Sequence, residues 1–212
     1  MDVEETWRVV EEHRRAVADL LEGLTSEQWE SPSLCAGWRV RDVAAHLTLI
    51  SLPPSPGSIL ADMIRARGSM HVLNTLATKR RAERPTERLV TDLRTHAGSR
   101  KLPAVTDRRN VLFALLVHGQ DMAVPLGFDL PVPPAAAAEG AMRVWTMGWP
   151  FWARRRLRGL HLSATDVDWS AGSGAEVRGS IRALLLLLTG RTAAAAPLLS
   201  GPGLARLPHA PV

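Results

Sequence analysis

Proline constrains this chain more than any other residue. In SLPPSPG, residues 51–57, Pro53, Pro54 and Pro56 remove backbone donors and Gly57 frees the main chain, so the stretch cannot be helical throughout and must join two helices. Pro32, Pro85, Pro125 and the trio Pro131, Pro133 and Pro134 punctuate the rest. The segments left between these breaks have the length of helices, and their apolar residues recur with the helical period.

Residues 2–23 place Val3, Trp7, Val10, Ala16, Leu20 and Leu21 at helical spacing with Glu and Arg between them, which predicts a long amphipathic helix. Thr25-Ser-Glu-Gln fits a capping box and predicts a short second helix that ends at Pro32. RVRDVAAHLTLI, residues 39–50, carries Val40, Val43, Ala44, Leu47 and Ile50 on one stripe. One helix is expected from Ser58 to about Arg84 and another from Pro85 to about His96. The most apolar one is expected over 107–124, and an alanine-rich one over 135–157. Trp145, Trp149 and Trp152 recur at helical spacing in the last of these and read as core or packing residues. Beyond Gly159 the period changes: LHLSATDVDWSAG alternates, predicting a two-stranded hairpin that turns near Thr165-Asp166. GSIRALLLLLTGR is again helical up to Gly190, and a last short helix runs from about Thr192 to Leu199. The chain therefore reads as mainly α, a helical bundle over 1–157 with a small α+β subdomain over 158–212.

No apolar run reaches the roughly 18–20 residues that span a bilayer, and MDVEETWRVVEEHRR opens on acids where a secretory signal would be basic and then apolar. No membrane association and a cytoplasmic location are expected. The net charge of +5 rests on arginine, with clusters KRRAER (79–84) and RRRLR (154–158). Acids interleave elsewhere and no helix-turn-helix or zinc finger is present, so these clusters read as solvated helix faces and no nucleic-acid partner is expected. The single cysteine, Cys35, cannot form an internal disulfide and has no CxxC partner, so any metal is expected to rest on histidine and carboxylate.

Two histidines stand on or beside apolar stripes. His46 lies one turn beyond Asp42, and His118 sits near the end of VLFALLVHGQDMAVPLG. A histidine so placed is a metal ligand, a catalytic base or a polar residue tolerated by the core. Two of them in different helices favour the first reading, because bundle metal sites are built from inward-facing side chains. His71 lies on another helix and reads as exposed.

WESPSLCAGWRVRDVAAHL, residues 29–47, resembles the N-terminal signature of the mycothiol-dependent maleylpyruvate isomerase family, a branch of the DinB-like four-helix metal-binding proteins. LLVHGQDMAVPLG resembles its second histidine segment. GLHLSATDVDWSAGSGAEVRG with ALLLLLTGR resembles its C-terminal strand-and-helix segment, and the three occur in the family's order. The resemblance implies a DinB-like four-helix bundle, a divalent metal, usually zinc, and mycothiol as thiol cofactor. The ligands it implies are His46, His118 and a carboxylate four residues before His118. That position is Ala114, which supplies no donor, and Asp121, three residues past His118, is the substitute. Asp121 also suits a role orienting the histidine or capping the turn before Pro125. Trp38, Arg67 and Asn74, with Arg65, are expected to line a polar mouth for the cofactor.

Two functions of different class remain open. One is a metal- and mycothiol-dependent isomerase or transferase acting on a small electrophile, as a monomer or homodimer. The other is a bundle without turnover that binds a small molecule or serves a pathway, which Ala114 favours. A DinB-type metal-dependent hydrolase is a third.

Overall fold

The computed structural model describes residues 1–102 and 106–208. The chain divides into two compact units, one of Trp7–Val111 and His118–Leu130, the other of Met1–Thr6, Leu112–Val117 and Pro131–Val212.

The first unit is helical. It holds most of α1 (Val3–Glu22), then α2 (Ser26–Glu30), α3 (Val40–Ser51), α4 (Pro56–Arg65), α5 (Met70–Ala82) and α6 (Thr86–Thr95), and the final turns of α7 (Arg108–Ala123). Thr25 caps α2 through the expected capping box with Gln28. The 51–57 stretch ends α3 and begins α4, as the prolines require. The single helix expected over 58–84 is two: Arg67 (φ 49°) and Gly68 (φ 78°) both take the left-handed conformation, and Ser69 restarts the chain by accepting from the Val72 amide. α3 is the central element, packed on α2, α5 and α6. Val40, Val43, Ala44 and Leu47 supply its buried face. Arg14 of α1 is fully buried, and its Nη1 donates to the carbonyls of Ala97 and Ser99 beyond α6. Burial lowers its pKa to about 10 against the opposing pull of Glu11. α1 and α7 approach closely at Gly119, where a Cβ would stand 2.8 Å from Leu130 and 2.9 Å from His13. Within the 79–84 cluster, Arg80 pairs with Asp62 and Arg84 with Asp92.

The second unit combines helices with a sheet. α8 (Pro134–Thr146) and α9 (Ala153–Arg156) replace the continuous helix expected over 135–157. Met147 is extended, Pro150 lacks the N–H a helix needs, and Trp152 is left-handed at φ 48°. The break exposes Trp149 and Trp152 to 64% and 54%, so neither is the packing residue its spacing suggested. β1 (Leu160–Ala164) and β2 (Ser170–Gly172) form the expected antiparallel pair, with Leu162 opposite Ala171. The hairpin is only half of the sheet. β3 (Ala175–Gly179) lies parallel to β1, and β4 (Leu199–Ser200) pairs antiparallel to β3, giving the order β2-β1-β3-β4. Asp166 accepts from the Ile181 amide at the start of α10 (Ile181–Leu188). Seven of the eight residues of α10 are buried. At roughly 1.5–3 kcal/mol for each fully buried leucine, this helix contributes several kcal/mol of apolar burial to its unit. α11 (Thr192–Ala195) follows. Among the described residues, no helix is long and apolar enough to cross a membrane.

Candidate functional site

The loop between α2 and α3 is short and heavily bonded. Pro32 and Arg39 form an isolated antiparallel bridge, and the Ser33 amide and hydroxyl both donate to Trp38 O, at 2.9 and 2.8 Å. The Trp38 amide donates to Cys35 O at 3.0 Å, closing a turn whose third residue, Gly37, has φ 75°. Only glycine takes that conformation without strain, which explains the CAGW string. The Leu34 amide donates to Asp121 O at 3.0 Å, so this loop is fastened to the end of α7.

Fastened this way, Cys35 meets two residues that the sequence singles out. α7 runs on to Ala123, which keeps Asp121 on the helix and near the face of His118. His118 Nδ1 lies 2.9 Å from Asp121 Oδ2, Cys35 Sγ lies 3.0 Å from the same oxygen, and Sγ lies 3.7 Å from Nδ1. Asp121 is fully buried and the His118 side chain is 17% exposed. The carboxylate can only accept, so Nδ1–H and Sγ–H both donate to it. Beside the histidine and carboxylate expected to carry any metal, a thiol stands within the same cluster. Residues 83 and 86 positions apart carry no spacing signal. The one local hint is that Cys35 opens the tight turn before α3.

His46 projects from α3 beside this group. Its ring meets His118 edge-on at 4.9 Å between centroids and Trp38 at 5.3 Å. Its Nδ1 faces the hydroxyl of Thr78 on α5 at 3.4 Å. Burial and the neighbouring His118 push its pKa down to about 3, against the pull of the Asp121 carboxylate, so the ring is neutral near pH 7. Asn74 lies half-buried one turn before Thr78, while Arg67, in the left-handed link between α4 and α5, is exposed, as is His71. Arg65 pairs with Asp62.

Among the described residues, Cys35, His118 and Asp121 are the group of ligand types whose donor atoms all lie within 4.8 Å of one another; His46 is not one of them. Tetrahedral donors with bonds of about 2.0–2.3 Å lie about 3.3–3.7 Å apart, so these three fit a zinc-type ion after shifts of about half an ångström or less. Ala114, one turn back along α7, offers no donor. A separate groove of about 480 Å³, lined by residues including Trp29, Arg41, Glu87 and Val90, shares no residue with the cluster.

Residues 10–123 match the family described as mycothiol maleylpyruvate isomerase N-terminal domain. Among solved structures, the crystal structure of the mycothiol-dependent maleylpyruvate isomerase and that of a histidine-to-alanine mutant of it are each similar to this chain. Each has a TM-score of 0.67 at 14% identity, with 100% of this chain and 97% of that chain covered. No curated protein gives a significant match.

Proposed function

This chain belongs to the mycothiol maleylpyruvate isomerase N-terminal domain family, and on that premise we propose that it is a mycothiol-dependent isomerase or transferase acting on a small electrophilic substrate. The observation that carries the proposal is the placement of His118, Asp121 and His46 together inside the matched region. Mycothiol, when bound, would supply a thiolate able to add to an electrophilic carbon and to leave again after bond rotation, or to remain as an S-conjugate.

A divalent metal, the group that such chemistry calls for, would be held by His118 and Asp121, and when bound it would lower the pKa of a thiol at the site. Without an ion, Asp121 accepts from His118 Nδ1–H across 2.9 Å and so holds the ring at the angle where the two donors meet. His46 serves as a neutral hydrogen-bond acceptor through Nε2, the ring nitrogen that does not face Thr78. Its lowered pKa keeps the ring neutral at pH 7 and makes it a weak base. Trp38, against the His46 ring, and Asn74 on α5 are the cofactor contacts proposed on this side of the cluster. Arg67 joins them only through its exposed guanidinium at the head of α5.

A second reading, a bundle that binds a small molecule without turning it over, is favoured by Ala114. The test takes tag-free protein with mycothiol. Calorimetry measures binding, and proton NMR follows the cis-to-trans conversion of a small cis-enoyl keto acid, beside His118→Ala. Mycothiol-dependent conversion that disappears in the variant is the expected result. Binding without conversion would select the second reading, and neither binding nor conversion would overturn both.

A further inference from the structure

The family resemblance includes Cys35 in its signature string but implies no ligand role for it. We propose that Cys35 is a metal ligand: its thiolate, with His118 Nδ1 and the Asp121 carboxylate, forms a three-donor site for a zinc-type divalent ion. The proposal stands on geometry alone and does not require mycothiol chemistry.

Three observations converge on it. The donors come from two segments far apart in sequence, yet Sγ, Nδ1 and Oδ2 stand 2.9, 3.0 and 3.7 Å from one another. The loop that carries Cys35 is held by its own turn and by the Leu34 amide on Asp121 O, so the sulfur is positioned before any ion arrives. The carboxylate is fully buried and takes both hydrogens, Sγ–H and Nδ1–H, on the side where the three donors meet. The two hydrogens mark the places on His118 and Cys35 that become donor sites when those protons are moved, on the same side as the carboxylate oxygen. The exchange balances: the ion enters as +2, Cys35 releases one proton to water, His118 moves its N–H to Nε2 and coordinates as neutral imidazole, and the thiolate and carboxylate bring the site to zero net charge. Three protein ligands leave a fourth tetrahedral position open, which is the hallmark of a reactive rather than a structural zinc site.

The donor set also sets the choice of ion. A thiolate with one imidazole and one carboxylate favours zinc or cobalt(II) and disfavours magnesium and calcium, which take oxygen donors. The site is therefore proposed for a borderline-soft divalent ion.

Because the chain has one cysteine, spectroscopy at sulfur reports on Cys35 alone. The experiment adds cobalt(II) to reduced, tag-free, full-length protein under nitrogen, and then measures alkylation of the thiol by iodoacetamide with zinc and with magnesium. One equivalent of cobalt with a near-ultraviolet thiolate-to-metal charge-transfer band is expected, and the band should vanish in Cys35→Ser. Zinc held at ten times its Kd leaves about a tenth of the thiol free, so alkylation should slow about tenfold, while magnesium should leave it unchanged. If Cys35→Ser does not fold, as judged by circular dichroism, the wild-type spectrum and the alkylation rates decide by themselves. Cobalt bound with no sulfur band, or alkylation indifferent to zinc, would overturn the proposal and leave the thiol-isomerase reading standing on other ligands. No cobalt bound at all would overturn it as well, and mycothiol calorimetry would then show whether the functional reading falls with it.

Discussion

Lowering the pH should destabilise this protein through His13. Its ring is 4% exposed on α1, and its Nε2 is buried with no hydrogen-bond partner among the described residues. A Cβ built on Gly119 would stand 2.9 Å from that nitrogen, so α7 runs closely past the ring. Burial lowers the pKa from 6.5 to about 4. The folded protein therefore keeps His13 neutral at pH values where the unfolded chain already binds a proton. Stability from this source is fully present above the unfolded pKa and is lost as pH falls from 6.5 toward about 4. At about 1.4 kcal/mol per pK unit, the whole displacement amounts to about 3 kcal/mol, of which about 2 kcal/mol is lost by about pH 5. His46 adds an acid-linked loss of the same sign, so the informative quantity is the difference between wild type and His13→Leu. Urea unfolding at about pH 8 and about pH 5, with chelator present to remove metal linkage, should show His13→Leu losing about 2 kcal/mol less than wild type between the two conditions. Equal acid sensitivity in the two proteins would refute the reasoning, whatever the variant's absolute stability.

Two further predictions concern one position in each unit, Asp42 in the first and Gly174 in the second. Asp42 is fully buried and accepts from Arg39 and from Lys79, the latter at 2.7 Å; burial pushes its carboxyl pKa up, but these hydrogen bonds hold it below the usual value. Asp42→Asn should cost about 3 kcal/mol in urea unfolding near pH 7, because two cations lose their buried partner, and the deficit relative to wild type should shrink as acid protonates the native carboxylate. Gly174→Ala should cost about 3 kcal/mol or more, since its φ of 127° suits only glycine and a Cβ would stand 2.1 Å from Gly159 O beside the β1–β3 ladder. Gly57→Ala, with no heavy atom within 4 Å of its Cβ, is the control and should leave the melting temperature unchanged or slightly raised.

How much of this was readable in the chain depends on the range of the cause. Proline breaks, the Thr25 capping box, the stripe of α3 and the alternating hairpin are set by residues a few positions apart, and each appears in the fold. The same local patterns place His46 and His118 in different helices and Asp121 near His118, and the structure brings the two rings together. Local reasoning failed where a local preference was weak, at Arg67-Gly68 and at Trp149-Pro150, because a short left-handed or extended link leaves the apolar period on either side almost undisturbed. It failed altogether where partners are distant. The burial of Arg14 depends on carbonyls 83 and 85 residues away, the parallel partner of β1 is invisible to a period-two pattern, and Cys35 gains its meaning from residues 83 and 86 positions on. The sequence by itself thus determined where the chain is mainly helical and which side chains carry donors, but not every break within those helices. Only the tertiary structure decided which donors share one small volume, because convergence depends on how whole elements pack and not on the conformational preference of any single residue.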